Sequence, residues 1–292
     1  MIYDIRLSMR YHYGSPAMGG RHVLRLLPYN IAGVQQVERA QLVIEPAPHT
    51  RSDSVDFYGN VTTSLVLTNA HDAIDFTMTA RVQRTRPEDL FDTTPSLAGI
   101  AAQVAGWRDL SRASPHHYLM PSPRVIRDAD VAAWARDVVA GAPTVFDAAN
   151  RLNCALHDLM RYDPDATTVE TSLSEAFAAR HGVCQDFSHI MIAALRDLGV
   201  PAGYVSGLLR TSPPPGQPRL EGADAMHAWV AVWCGRELGW VQFDPTNAVR
   251  AGTDHILIAT GRDYSDVAPV KGVLRSSGAQ TAAQAVDVVP LD

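Results

Sequence analysis

Cysteine is scarce, with only Cys154, Cys184 and Cys234 in 292 residues. An odd count without paired spacing excludes a disulfide framework and a zinc knuckle, and it fits a reducing compartment. Positive charge is also short: 25 Lys and Arg against 31 Asp and Glu leave a net charge of −6. A general nucleic-acid binder carries a basic surplus, so nucleic acid is not an expected partner. No apolar run approaches the roughly 18–20 residues that span a bilayer, so no membrane partner is expected either. The opening MIYDIRLSMRYHYG alternates polar and apolar residues. It has no charged-then-apolar signal region and no small-residue cleavage site, which makes the cytoplasm the expected compartment. There is no internal repeat, no low-complexity tract and no acidic loop with calcium-binding spacing. What remains is the composition of a globular enzyme-sized chain, 46% hydrophobic and 19% charged. That is enough for one large domain or two modest ones.

Residues 1–95 read as an antiparallel β-domain. Tyr3, Ile5, Leu7, Met9 and Tyr11 alternate with Asp4, Arg6, Ser8, Arg10 and His12, the period of a half-buried strand. VLRLLP at 23–28, RAQLVIEP at 39–46, VTTSLVLT at 61–68 and a run from Ile74 to Gln83 are further strand candidates, with Gly59-Asn60 as a turn. Successive strands without helices imply a small sandwich or barrel. Residues 96–125, rich in Pro, Ser and His, form a connector with one short helix near 97–105. Residues 126–292 mix helices first and strands later. Helices are expected over 128–139 and 146–162, and the capping-box spacing Ser172-Leu-Ser-Glu175 starts another. The fold class is therefore α+β.

The chemistry concentrates in ARHGVCQDFSHIMIAALRDLGVPAGYVSGLL, residues 179–209. Gly182 is expected to stop one helix. After Cys184, the residues Phe187, Ile190, Met191, Ala194, Leu195 and Leu198 recur at core-facing helical spacing, and Gly199 and Pro201 end the run. Cys184 then sits at a helix N-terminus. The free N–H groups and the positive dipole end there favour a thiolate. The same backbone groups, from Cys184 and Gln185, can hold an oxyanion. Position alone also suits a buried apolar cysteine, so a partner base is required.

That base is His227, in MHAWVAVW at 226–233, followed by a second strand GWVQFDPTN at 239–247. If Gly235-Arg236 forms a two-residue hairpin turn, His227 lies directly opposite Asp244. Trp229, Ala231, Trp240 and Gln242 share their face, and Val230, Val232, Val241 and Phe243 share the other. A one-residue slip would separate the pair. In this arrangement Asp244 orients His227, His227 keeps Cys184 as a thiolate, and the thiolate attacks an amide carbonyl to form a thioester. Alone, His227 is a strand-end histidine and Asp244 a turn former before Pro245; it is the shared face that makes them a constellation.

Other candidates carry blander readings. His116-His117 are adjacent, point apart on a strand and lack a spaced ligand set, so no metal site is expected. Asp186 complements a helix dipole, and His189 is a helix-surface or packing residue. Trp229 and Trp240 are candidate cleft walls, although strand aromatics commonly just fill cores. Tyr162 is a candidate donor to the oxyanion. TSPPPGQPRLEGADA at 211–225 reads as a lid or a plain solvent loop before His227.

HGVCQDF, HAWV and WVQFDPTN, in the order Cys, His, Asp, resemble the transglutaminase-like cysteine-enzyme superfamily. YDIRLSMRYHY, HVLRLLP, DFYGN and the tail HILIATGRDYSDVAPVKGV extend the likeness to bacterial transglutaminase-like proteins with an N-terminal β-region. The resemblance implies a papain-like core, with one helix packed on an antiparallel sheet. It implies Cys184 as nucleophile, His227 as base and Asp244 as the orienting acid, with no cofactor. Where relatives often read PARYVSG, this chain reads PAGYVSG at 201–207, which removes an arginine at Gly203. The implied activity is amide hydrolysis on peptides or protein conjugates. The alternatives are a glutamine transamidase and an inactive protein-binding module. The sequence sets neither the substrate, the acyl acceptor nor the oligomeric state.

Overall fold

The computed structural model describes residues 1–87, 91–211, 222 and 224–291. The N-terminal strands are β1 (Ile2–Leu24), β2 (Gln35–Glu45), β3 (Thr50–Val55), β4 (Val61–Leu67) and β5 (His71–Arg84). They lie in the order β2-β5-β1-β4-β3, with every pairing antiparallel. Tyr3, Ile5, Leu7 and Met9 are buried while their alternates face outward, so the period of two places this strand correctly. β1 runs far longer than the pattern suggests. The register shifts after His12; the first half pairs with β5 and the second with β4. The segment read as a separate strand at 23–28 contributes only Val23 and Leu24, as the end of β1. β3 went unread because all of its residues are exposed and carry no apolar period.

The connector holds α1 (Leu97–Ala105), capped by Ser96, and a 3-10 turn at Pro115–Tyr118. Then come α2 (Ala129–Val138), α3 (Val145–Leu159), β6 (Arg161–Tyr162), α4 (Leu173–Ala179), β7 (His181–Gly182) and α5 (Cys184–Asp197). Asp128, Thr144 and Ser172 cap α2, α3 and α4, and Ser172 with Glu175 completes the expected capping box. Four strands follow: β8 (Ala202–Leu209), β9 (Ala225–Trp233), β10 (Trp240–Asp244) and β11 (Val249–Arg250). Next are β12 (His255–Gly261) and α6 (Tyr264–Val267). The core sheet has the order β11-β10-β9-β8-β12. One face, with Val230, Val232, Val241 and Phe243, packs in the same apolar core as Phe187, Ile190, Met191 and Leu195 of α5. Since α2, α3 and α4 pack on other sides of α5, it is buried nearly all round rather than along one stripe.

The chain ends back in the first sheet. β13 (Val270–Arg275) pairs with the second half of β1, and β14 (Gln280–Pro290) pairs with its first half. The span 126–292 expected for the core therefore sends its last two strands to the N-terminal sheet. Only Val286 and Val288 of β14 are buried, too short a pattern to declare a strand in an Ala-rich tail. The two halves also share a core, since Leu208, Ile256 and Ile258 of the second sheet pack among Leu7, Phe76 and Val288.

Candidate active site

Cys184 is the first residue of α5, with Val183 as the N-cap. Val183 offers no polar side chain, so the helix start is held otherwise. The Asp186 carboxylate accepts from the Val183 N–H at 2.8 Å and from the Thr167 hydroxyl at 2.6 Å. Burial raises the Asp186 pKa, and those two bonds offset part of the rise. Asp186 is thus more than a dipole complement. Gly182 does not end the preceding helix; Arg180 does, in the left-handed region at φ 60°. Glycine is required at 182 because a Cβ there would lie 2.6 Å from the Asp186 carboxylate. The N–H groups of Cys184 and Gln185 occupy the first helical turn, where no intrahelical acceptor exists. Cys184 is half-buried, whereas Cys234 is enclosed and its thiol is pushed up to about 12 by burial.

His227 and Asp244 come from neighbouring strands, but not as direct partners. Trp233 pairs with Trp240 and Val230 with Phe243, so the register lies two residues from that of a Gly235-Arg236 turn. The connection instead spans Cys234–Gly239. It closes with the Cys234 N–H on the Gly239 carbonyl and the Gly239 N–H on the Gly235 carbonyl. Both glycines have positive φ. A two-residue shift preserves the face of every side chain, so His227 and Asp244 still meet as diagonal neighbours. His227 Nε2 stands 2.8 Å from Asp244 Oδ2. This leaves Nδ1 as the nitrogen free to serve the thiol.

The electrostatics reinforce the geometry. Burial opposes a charge on His227, but Asp244 and the nearby Cys184 thiol outweigh it and lift the imidazole to about 10. Burial likewise pushes the Asp244 carboxyl up. Hydrogen bonds from His227, His255 and Asn247 win and hold it well below the usual carboxylate range. Asn247 donates its side-chain amide to Oδ2 at 2.7 Å, and the Thr246 N–H donates to Oδ1 at 3.0 Å.

Residues 132–245 match the transglutaminase-like superfamily, and residues 3–83 match the bacterial transglutaminase-like N-terminal region. An uncharacterized protein of Mycobacterium tuberculosis is 35% identical over 86% of this chain and 81% of its own length. One from Mycobacterium leprae is 30% identical over 97% of each. The chain belongs to the transglutaminase-like superfamily. A candidate cysteine protease from Cytophaga hutchinsonii shares the fold, with a TM-score of 0.76 at 21% identity over all of this chain and 91% of that one.

Within this transglutaminase-like site, His255 is the residue the sequence did not single out. It lies on β12, beyond the matched segment, and its Nε2 is 3.1 Å from the same Asp244 Oδ2. The only signal was its place in the tail HILIATG, which carries no spacing to the triad. Ligand atoms of His227, Asp244 and His255 lie within 4.8 Å of one another, the span of a possible metal cluster. The hydrogen bonds favour a proton network instead. The Gly252 N–H donates to His255 Nδ1 at 3.2 Å, so the ring proton sits on Nε2 and points at Asp244. A metal-bound histidine needs Nε2 bare and an acceptor, not a donor, at its far nitrogen.

The proposed cleft walls separate. Trp229 is 0% exposed, and its N–H donates to Gln242 at 2.8 Å. It stacks beside His227 and meets His255 edge-on, so it packs against the two histidines rather than walling a cleft. Trp240 lies four residues from Asp244, about 13 Å along the strand. There it donates to the Ala113 carbonyl. Tyr162 alone stays near the thiol, half exposed, on a strand pair that sets it beside Gly182. Burial and then Cys184 raise its pKa. His189 is buried rather than on the helix surface; burial lowers it to about 4, and it accepts from the Tyr264 N–H. Gly203 pairs with Ala231, again about 13 Å along the strand from His227. Tyr118 fills the space an arginine side chain would start from: a Cβ would stand 2.7 Å from that ring. Most of the loop expected at 211–225 lies outside the described residues.

Proposed function

We propose that this chain is a thiol-dependent amide hydrolase acting on peptides or protein conjugates. The observation that carries the reading is one line of groups, half-buried at Cys184 and buried at His227 and Asp244. Cys184 stands at a helix start, facing an imidazole whose far nitrogen is 2.8 Å from the buried Asp244. Asp244 holds His227 in the tautomer and orientation that leave Nδ1 for the thiol. His227 takes the thiol proton, and the thiolate adds to the amide carbonyl carbon. The oxyanion is received by the N–H groups of Cys184 and Gln185. The C–N bond then breaks, the amine leaves with the proton from His227, and a thioester remains. Water gives a proton back to His227 and attacks the thioester, which releases the carboxylic acid and the thiol. Among the described residues no helix is long and apolar enough to cross a membrane, and the three cysteines are free. A reducing cytoplasm suits a lone nucleophilic thiol.

The test is mass spectrometry of a diverse peptide mixture incubated with a primary amine, comparing wild type with Cys184→Ala. New peptide termini that vanish in the variant support hydrolysis. Amine adducts on glutamine without cleavage would replace it with transamidation. Neither product would sink the enzymatic reading and leave a binding module.

A further inference from the structure

A hollow lies on the face of the core sheet that carries His227 and Asp244, roughly 13 Å from His227 along β9. Its floor is Ala231, whose cross-strand partner Gly203 is covered by the Tyr118 ring. Aromatic walls rise around that floor. Tyr118 and Trp240 meet edge to face at 4.8 Å, and Tyr58, at 5.9 Å from Tyr118, closes another side. Tyr29 and Tyr58 come from the N-terminal sheet region, so the hollow forms only where the two halves of the chain meet. The cavity is about 260 Å³. A cavity of ~150 Å³ already admits a benzene ring, so this one takes a ring and one short polar arm. Sites at domain junctions with apolar walls and a few convergent polar groups are where small ligands bind.

The polar groups select the sign of the ligand. Among the described residues no carboxylate lines the hollow, although the chain is net negative. Arg112 stands at its border and has no ion-pair partner among the described residues. Asp56 and Asp266, the nearby acids, are engaged by Arg25 and Arg262. Gln242 spends its oxygen on Trp229, which leaves its NH₂ as a further donor on the floor. A guanidinium and an amide donor suit a carboxylate, and the surrounding faces suit a planar ring.

We propose that this hollow binds an aromatic carboxylate, one planar ring with a carboxylate arm, supplied as a free acid or as the aromatic C-terminal residue of a peptide. The ring lies over Ala231, against the touching pair Tyr118 and Trp240, and the carboxylate meets Arg112. Nothing in this site requires Cys184, so it stands or falls apart from the hydrolase reading.

The experiment is a calorimetric titration of the full chain with indole-3-acetate and with N-acetylphenylalanine, each compared with its neutral amide. Saturable binding is expected for at least one acid, with its amide weaker by about tenfold or more, the loss of a charge-assisted hydrogen bond. Indole-3-acetate alone binding identifies a free acid, and N-acetylphenylalanine alone a peptide terminus. Arg112→Gln, an exposed change, should bring the acid down to the amide's affinity. Ala231→Leu should fill the floor and remove binding of both. No saturation at millimolar ligand, equal affinity for acid and amide, or full binding by Arg112→Gln would overturn the proposal. If Ala231→Leu does not fold, the Arg112→Gln comparison decides.

Discussion

Asp244 is the most heavily engaged side chain of the site. Its Oδ2 serves His227, His255 and Asn247 together, and each of those bonds stabilises the ionised form. In the proposed hydrolase mechanism His255 is a positioning residue acting through Asp244. Replacing it with leucine should lower kcat/KM by about tenfold to a hundredfold, the cost of a hydrogen bond to a charged group. His255→Gln keeps a donor and should recover most of the loss, and its pH profile should stay near wild type. A leucine variant with an unchanged rate and profile would reduce His255 to packing. The thiol itself bears on His227. In Cys184→Ala one group favouring the charged imidazole is gone, so NMR titration should place the His227 pKa lower than in wild type.

The start of α5 depends on a fit rather than on a conventional cap. Gly182 and the Asp186 carboxylate occupy touching space, and Asp186 holds the Val183 N–H. Gly182→Ala should cost about 1–3 kcal/mol through overpacking, read as a lower Tm. It should also slow alkylation of Cys184 by iodoacetamide, since the displaced residue is two positions away. At its other end, α5 is tied by Arg196. The buried guanidinium donates to the carbonyls of Tyr118, Met120, Ala202 and Arg262, joining connector, helix and sheet. Arg196→Met should destabilise by about 3 kcal/mol or more, because several buried carbonyls lose their donor together.

At the scale of the whole molecule, the His–Asp pair makes stability depend on pH. His227 is raised from 6.5 to about 10 on folding. A group raised on folding contributes fully below 6.5, where both states are protonated, and its contribution fades as pH climbs toward 10. Asp244 is lowered from 3.8, so its contribution is present above 3.8 and is lost as acid protonates it. Urea unfolding at pH 6.5 and pH 9.5 should show a fall in wild type. The fall should be much smaller in Asp244→Asn, which removes the partner that charges the ring. The return of β14 to β1 is equally global. Deleting residues 276–292 strips Val286 and Val288 from the core, about 1.5–3 kcal/mol each. It also bares a strand edge of β1, so the truncated chain should associate in analytical ultracentrifugation.

Local patterns in the chain were sufficient for much of this protein. Period-two alternation marked Tyr3 to Met9 as a strand, helical spacing from Phe187 to Leu195 marked α5, and Ser172 with Glu175 marked a helix start. The parity of residues on β9 and β10 put His227 and Asp244 on one face, and parity survived a two-residue error in the turn. These properties depend on neighbours a few positions apart, and the sequence records such neighbours directly. Other features needed the folded chain. The actual register followed from a longer connection closed by Gly235 and Gly239. The second histidine on Asp244, the pairing of β14 with the strand nearly 280 residues before it, and the aromatic hollow unite segments far apart in sequence. No local period encodes such meetings, because they are selected by which surfaces bury one another when the whole chain packs.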